Sequence, residues 1–85
     1  MKRLFVANLN FEITEEDLRN KFCLYGKLKD CFLIKTREGK SRGFCFVEFM
    51  VEEDAACAMS ELDGTDFSGR RIAVKPANER IKNGQ

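Results

Sequence analysis

The chain has 85 residues, enough for one domain with a single core and little stability to spare. Hydrophobic residues make up 44%, which excludes general disorder, and there is neither an apolar run long enough to span a bilayer nor a signal-peptide pattern. With no histidine, no C-x-x-C pair and no nucleophile set beside a base, the residues offer no metal, cofactor or catalytic constellation, so an enzyme is not expected.

In chain order the elements read strand, helix, strand, strand, helix, strand. Residues 3–8 alternate as a first strand, with Leu4 and Val6 on one face and Phe5 opposite. Thr14 reads as an N-cap, followed by Glu15, Glu16 and Asp17 at the positive end of a helix. Leu18 and Phe22 form its apolar stripe, and Tyr25-Gly26 is the expected stop, with Gly26 in a left-handed cap. Residues 28–36 form a second strand, with Cys31 and Leu33 inward and Asp30, Phe32 and Ile34 outward. A basic turn over Thr36–Ser41 makes a hairpin with the next strand. That strand, Arg42-Gly43-Phe44-Cys45-Phe46-Val47-Glu48-Phe49, is apolar on both faces: Phe44 and Phe46 on one, Cys45, Val47 and Phe49 on the other. A second helix spans Glu52 to Leu62, with Ala55, Ala58, Met59 and Leu62 inward and Asp63-Gly64 as its stop. Thr65 to Gly69 reads as a loop and Arg71 to Lys75 as the last strand, with Ile72 and Val74 inward and Arg71, Ala73 and Lys75 outward. Pro76 is expected to bar further pairing. The domain is thus residues 1–77, and 78–85 form a polar C-terminal tail.

Charge follows the same division. Residues 1–11 hold Lys2 and Arg3 with no acid, and residues 70–85 hold five bases against Glu79 alone. Residues 31–49 hold Lys35, Arg37, Lys40 and Arg42 against Glu38 and Glu48, whereas residues 50–69 hold six acids and no base. Strand-like segments are basic and helix-like segments acidic, so a fold that separates the two is dipolar. The four cysteines, Cys23, Cys31, Cys45 and Cys57, sit where small apolar residues would serve and read as buried or half-buried thiols rather than a disulfide scaffold.

Arg42 to Phe49 and Leu4 to Leu9 resemble the octamer and hexamer signatures of the RNA recognition motif family. The octamer reads K/R-G-F/Y-G/A-F-V-x-F/Y; here Cys45 replaces the Gly or Ala, and in the hexamer Ala7 stands where the family usually has Gly. Thr14 to Leu18, Tyr25-Gly26, Leu62-Asp63-Gly64 and Gly69 to Val74 extend the likeness over about residues 3–77. The resemblance implies an α+β, ferredoxin-like βαββαβ sandwich: a four-stranded antiparallel sheet, the first and third strands central, with two helices on one face.

On the other face it implies single-stranded RNA. Phe5, Phe44 and Phe46 are the expected stacking rings, Arg42 the expected phosphate contact, and Arg37 and Lys40 further clamps. Phe32 would widen the platform, or instead cover a loop or a partner. Asp30 would accept from a base amino group, and Asn8 would meet a base edge or cap a turn. Lys75 and the Pro76-Ala77-Asn78 segment lie at the rim, where Asn78 joins the expected RNA contacts. Lys2, Arg3, Arg80 and Lys82 could add phosphates. Single-stranded DNA is the nearest alternative ligand, because stacking is blind to the sugar. A protein-interaction module on the acidic helical face is the other. Members that bind peptides this way use an Arg-x-Phe segment, where this chain reads Thr65-Asp66-Phe67. An isolated domain of this kind is expected to be a monomer, unattached to membranes and working inside the cell, the nucleus before the cytoplasm. It is either a minimal protein or one domain of a longer one.

Overall fold

The computed structural model describes residues 2–77. The elements are β1 (Arg3–Ala7), α1 (Glu15–Phe22), β2 (Leu28–Lys35), β3 (Ser41–Phe49), α2 (Glu52–Leu62), β4 (Asp66–Phe67), β5 (Arg70–Arg71) and β6 (Ala73–Pro76). The main sheet is antiparallel in the order β2-β3-β1-β6, with β1 and β3 central as the two crossovers require. α1 lies over β2, and α2 over β1, β3 and β6. Their buried faces close one core: Leu18 and Phe22 from α1, Ala55, Ala58 and Leu62 from α2, and Leu4, Val6, Cys31, Leu33, Cys45, Val47, Phe49 and Val74 from the sheet. Met59 packs against it half-buried.

The start of α1 is built as its residue types dictate. Thr14 Oγ1 accepts from the Asp17 amide at 3.1 Å, and Asp17 Oδ2 accepts from the Thr14 amide at 3.0 Å, a reciprocal capping box. Its end differs from expectation. The helix stops at Phe22, and the Cys23 amide donates to Arg19 O at 2.9 Å. Gly26 has φ 159°, close to extended rather than left-handed. Its lack of a side chain serves another purpose: a Cβ there would collide with the side chain of Asp54 at the start of α2.

The C-terminal third brings two corrections. Thr65 to Gly69 is not all loop, because β4 pairs with β5 in a small separate hairpin. Arg71 belongs to that hairpin, and the sheet strand begins only at Ala73. Nor does Pro76 end the pairing: it lies opposite Leu4, and the Ala77 amide donates to Arg3 O at 2.8 Å. That bond makes the Leu4–Pro76 pair a position without ladder hydrogen bonds, so the missing N–H of proline would have pointed to the open edge.

Both outer edges of the sheet are occupied by acids at helix ends. Glu15 Oε2 accepts from the Leu33 amide of β2 at 3.0 Å, and Asp63 Oδ1 accepts from the Val74 amide of β6 at 2.9 Å. The free donors that would invite another strand are spent at these two points. A bulge in β2 sets Leu28 opposite Phe49 but Asp30 opposite Glu48, which lets Leu28 and Cys31 both face the core.

All four cysteines are free thiols, but only Cys31 and Cys45 are buried; Cys23 and Cys57 are exposed, against the expectation that all would be covered. Burial pushes the Cys31 thiol up to about 11 and that of Cys45 further in the same direction. Alkylation at pH 8 followed by mass spectrometry should therefore show two fast labels, on Cys23 and Cys57. The other two should appear only at the rate of unfolding.

Candidate nucleic-acid interface

β3 places Phe44, Phe46 and Glu48 on the face away from the helices and leaves Cys45, Val47 and Phe49 fully buried. Register then fixes the neighbours: Phe46 lies opposite Phe5 of β1 and opposite Phe32 of β2. The rings form a continuous run. Centroids are 5.7 Å apart for Phe32 and Phe46, 5.3 Å for Phe46 and Phe5, and 5.6 Å for Phe5 and Phe44. Each pair is tilted, by 41–51°. All four rings are half-buried, propped on one another with the outer side open. Phe32 thus extends the run of rings to the edge strand.

The cations divide into free and engaged. Arg37 and Lys40 are exposed in the β2–β3 turn, and neither side chain has a partner among the described residues. The turn is held by the Thr36 amide donating to Lys40 O at 2.7 Å and the Lys40 amide donating to Thr36 Oγ1 at 3.2 Å. Arg42 is exposed, with its guanidinium carbon 5.7 Å from the Phe44 centroid. Lys75 lies opposite Phe5, but its ammonium is 3.2 Å from Asp63 Oδ2. The Val74 amide, and after it Lys75, hold the Asp63 carboxyl below its ordinary range.

Asn8 lies past the end of β1 in a left-handed conformation, φ 64°. Its Nδ2 donates to Arg71 O at 2.7 Å, and its Oδ1 accepts from Arg70 Nη2 at 2.7 Å. Both ends of the amide are therefore spent on docking the β4–β5 hairpin. At the rim, Ala77 has spent its N–H on β1. Asn78, Arg80 and Lys82, with the 78–85 tail, lie outside the described residues.

Arg3 was expected only as an added phosphate contact, and two further residues, Glu48 and Phe11, were given no role from the residues. Arg3 lies within β1 and faces the open side, opposite Glu48 in register. Its Nη2 donates to Glu48 Oε1 at 3.3 Å, and its guanidinium carbon stands 6.0 Å from the centroids of both Phe32 and Phe46. Period two from Phe5 through Arg3, and from Phe46 through Glu48, carried that signal. Phe11 is the third, 66% exposed in the β1–α1 loop. Its Cε1 lies 2.8 Å from where a Cβ on Gly43 would stand, and Gly43 has φ +86°. The glycine of the octamer is thus required twice, by conformation and by the close ring.

Two acids at the start of α1 are committed to the fold. Asp17 closes the capping box and Glu15 caps β2. Phe67 packs half-buried on the core, with Lys21 Nζ 5.3 Å from its centroid. Among the described residues no helix is long and apolar enough to cross a membrane.

The RNA recognition motif family model matches residues 4–73. The multiple RNA-binding domain-containing protein 1 of Candida albicans is 43% identical over 79 residues, 92% of this chain and 9% of that protein. Glycine-rich RNA-binding protein 2, mitochondrial, of Arabidopsis thaliana is also 43% identical over 79 residues, 92% of this chain and 50% of its own length. The chain therefore spans half or less of these curated relatives. The crystal structure of RNA binding protein PG1 superposes with a TM-score of 0.90 at 43% identity, covering 94% of this chain and 98% of that one.

Two substitutions check this geometry. Gly43→Ala should cost ~1–3 kcal/mol in a denaturant titration, because the left-handed backbone penalises any Cβ and Phe11 must also move. For Asp63 the sign follows from its lowered pKa. Its contribution is complete above the ordinary aspartate value of the unfolded chain and is lost as pH falls through the lower folded value. Asp63→Asn should therefore lie furthest below the parent protein near neutral pH and converge with it in acid, read as urea midpoints against pH.

Proposed function

The chain belongs to the RNA recognition motif family, and on that premise we propose that it binds single-stranded RNA across the open face of its sheet. The observation that carries this reading is the unbroken run of four outward rings, Phe32, Phe46, Phe5 and Phe44, on strands whose opposite faces already fill the core. A base offers a flat face to each. Base–aromatic stacking is worth ~1–3 kcal/mol per base by alanine substitution. Since a micromolar complex needs ~8 kcal/mol, one copy of the domain binds weakly unless its rims contribute.

Arg42, Arg37 and Lys40 are the phosphate contacts in this reading, because their charges are exposed on the open side and at its hairpin end. Lys75 joins them by leaving Asp63, an exposed ion pair that is cheaply broken. Asn8 serves as the clasp of the β4–β5 hairpin, and a base edge reaching it displaces Arg70 or the Arg71 carbonyl. Two to four phosphate contacts give a slope of roughly −1.4 to −2.8 in log K against log salt. The role fits a binding domain rather than an enzyme. We place it inside the cell, in RNA processing, with the nucleus as its proposed compartment and the isolated domain a monomer.

Phe44→Ala should weaken binding of short single-stranded RNA by ~1–3 kcal/mol while the melting temperature stays nearly unchanged. Fluorescence anisotropy beside thermal melting reads both. A domain that unfolds on this change would show the ring to be core, and one that binds as before would remove Phe44 from the platform. The same oligonucleotide in deoxyribose form measures how much the 2′-hydroxyl contributes.

A further inference from the structure

The outward residues of β2, β3 and β1 line up in rungs. One rung is aromatic: Phe32, Phe46 and Phe5. The rung beside it, two residues along each strand and roughly 7 Å away, is charged: Asp30 opposite Glu48, and Glu48 opposite Arg3. A base lying on Phe46 turns one edge to that rung. Two carboxylates against one cation are a poor surface for a phosphate chain, so their place on this face calls for a donor.

The rung is not closed on itself. Arg3 gives Glu48 a single hydrogen bond, from one of its five N–H groups, and its Nε is buried without a partner. Its side chain is 28% exposed and that of Glu48 12%. Among the described residues Asp30 Oδ1 accepts only from the amide of the next residue, Cys31, at 3.0 Å. Acceptors therefore outnumber donors along this edge, with one guanidinium among them.

Base edges differ in what they offer. Guanine presents two neighbouring donors, the ring N1–H and the N2 amino group, beside the O6 acceptor; cytosine and adenine present one amino group, and uracil one ring N–H. We propose that Arg3, Asp30 and Glu48 form a base-reading site that selects guanine at the position stacked on Phe46 and Phe32. The carboxylates accept from N1–H and the amino group, and Arg3 donates to O6. This rests on the sheet being the RNA surface.

The test is a set of single-stranded uridine hexamers carrying guanine, inosine, adenine or cytosine at one position each, titrated by fluorescence anisotropy. Guanine should bind roughly 5- to 100-fold better than uracil at one position. Inosine, which lacks the amino group, should fall between them. Glu48→Gln and Asp30→Asn, near-isosteric changes checked for folding by thermal melting, should lower the guanine preference towards unity, read as the ratio of guanine to uracil affinity within each variant. Equal affinity for all bases in the parent protein, or a preference that survives both variants, overturns the guanine site and leaves RNA binding standing. Failure of every oligonucleotide to bind overturns the RNA reading and this one with it.

Discussion

The structure depends on β3 having two apolar faces and two neighbours. A central strand with one such face would need only the helices above it. Here Cys45, Val47 and Phe49 meet the helices and are fully buried, which forces Phe44 and Phe46 to the far side. A slip of one residue would exchange the two sets and put Glu48 into the core, so the register with β1 and β2 is fixed strongly. Once it is fixed, Phe5 and Phe32 have no freedom left: they stand beside Phe46 because Leu4, Val6, Cys31 and Leu33 are needed inside. The open platform is thus a consequence of core packing and requires no separate device.

The edges of the sheet are guarded against a further strand. Acids favoured near a helix start for electrostatic reasons also reach the sheet, as Glu15 does on β2, while Asp63 at the far end of α2 does the same on β6. These carboxylates take the amides that strand addition would use. The charge segregation along the chain follows from the same division of labour. Acids at the helix ends cap helices and edges, and bases reach the open side and the β2–β3 turn, where Asp30 and Glu48 are the acidic exceptions.

Much of this was legible from residue types alone, wherever one periodicity governs. The inward and outward sets of β1, β2 and β3, the Thr14 cap and the span of α2 follow from alternation and capping chemistry. What was not legible depends on pairs distant in sequence. Whether proline ends a strand depends on which amides the ladder uses, and that is set by the β1–β6 register. The β4–β5 strands are two residues each, too short for a period, and are held by Asn8 from the other end of the chain. The end of α1 was missed because Gly26 resembled a cap, when the demand for glycine came from Asp54. Arg3 was read as a terminal charge, and only its partner Glu48, 45 residues away, makes it part of the platform.

The Arg3–Glu48 pair does little for stability. A partly exposed ion pair contributes about 0–1 kcal/mol, and well-packed apolar residues in place of a half-buried pair are often neutral or better. Two more hydrophobic residues at these positions would also lengthen the aromatic floor. They would lengthen it without distinction, since stacking accepts every base. Polar groups beside a stacking surface work the other way: a base that cannot complete their hydrogen bonds leaves them buried and unmatched, and the cost falls on the wrong ligand. In the proposed site the rings would supply affinity and the charged rung discrimination. The alternation of a single central strand sets the two side by side.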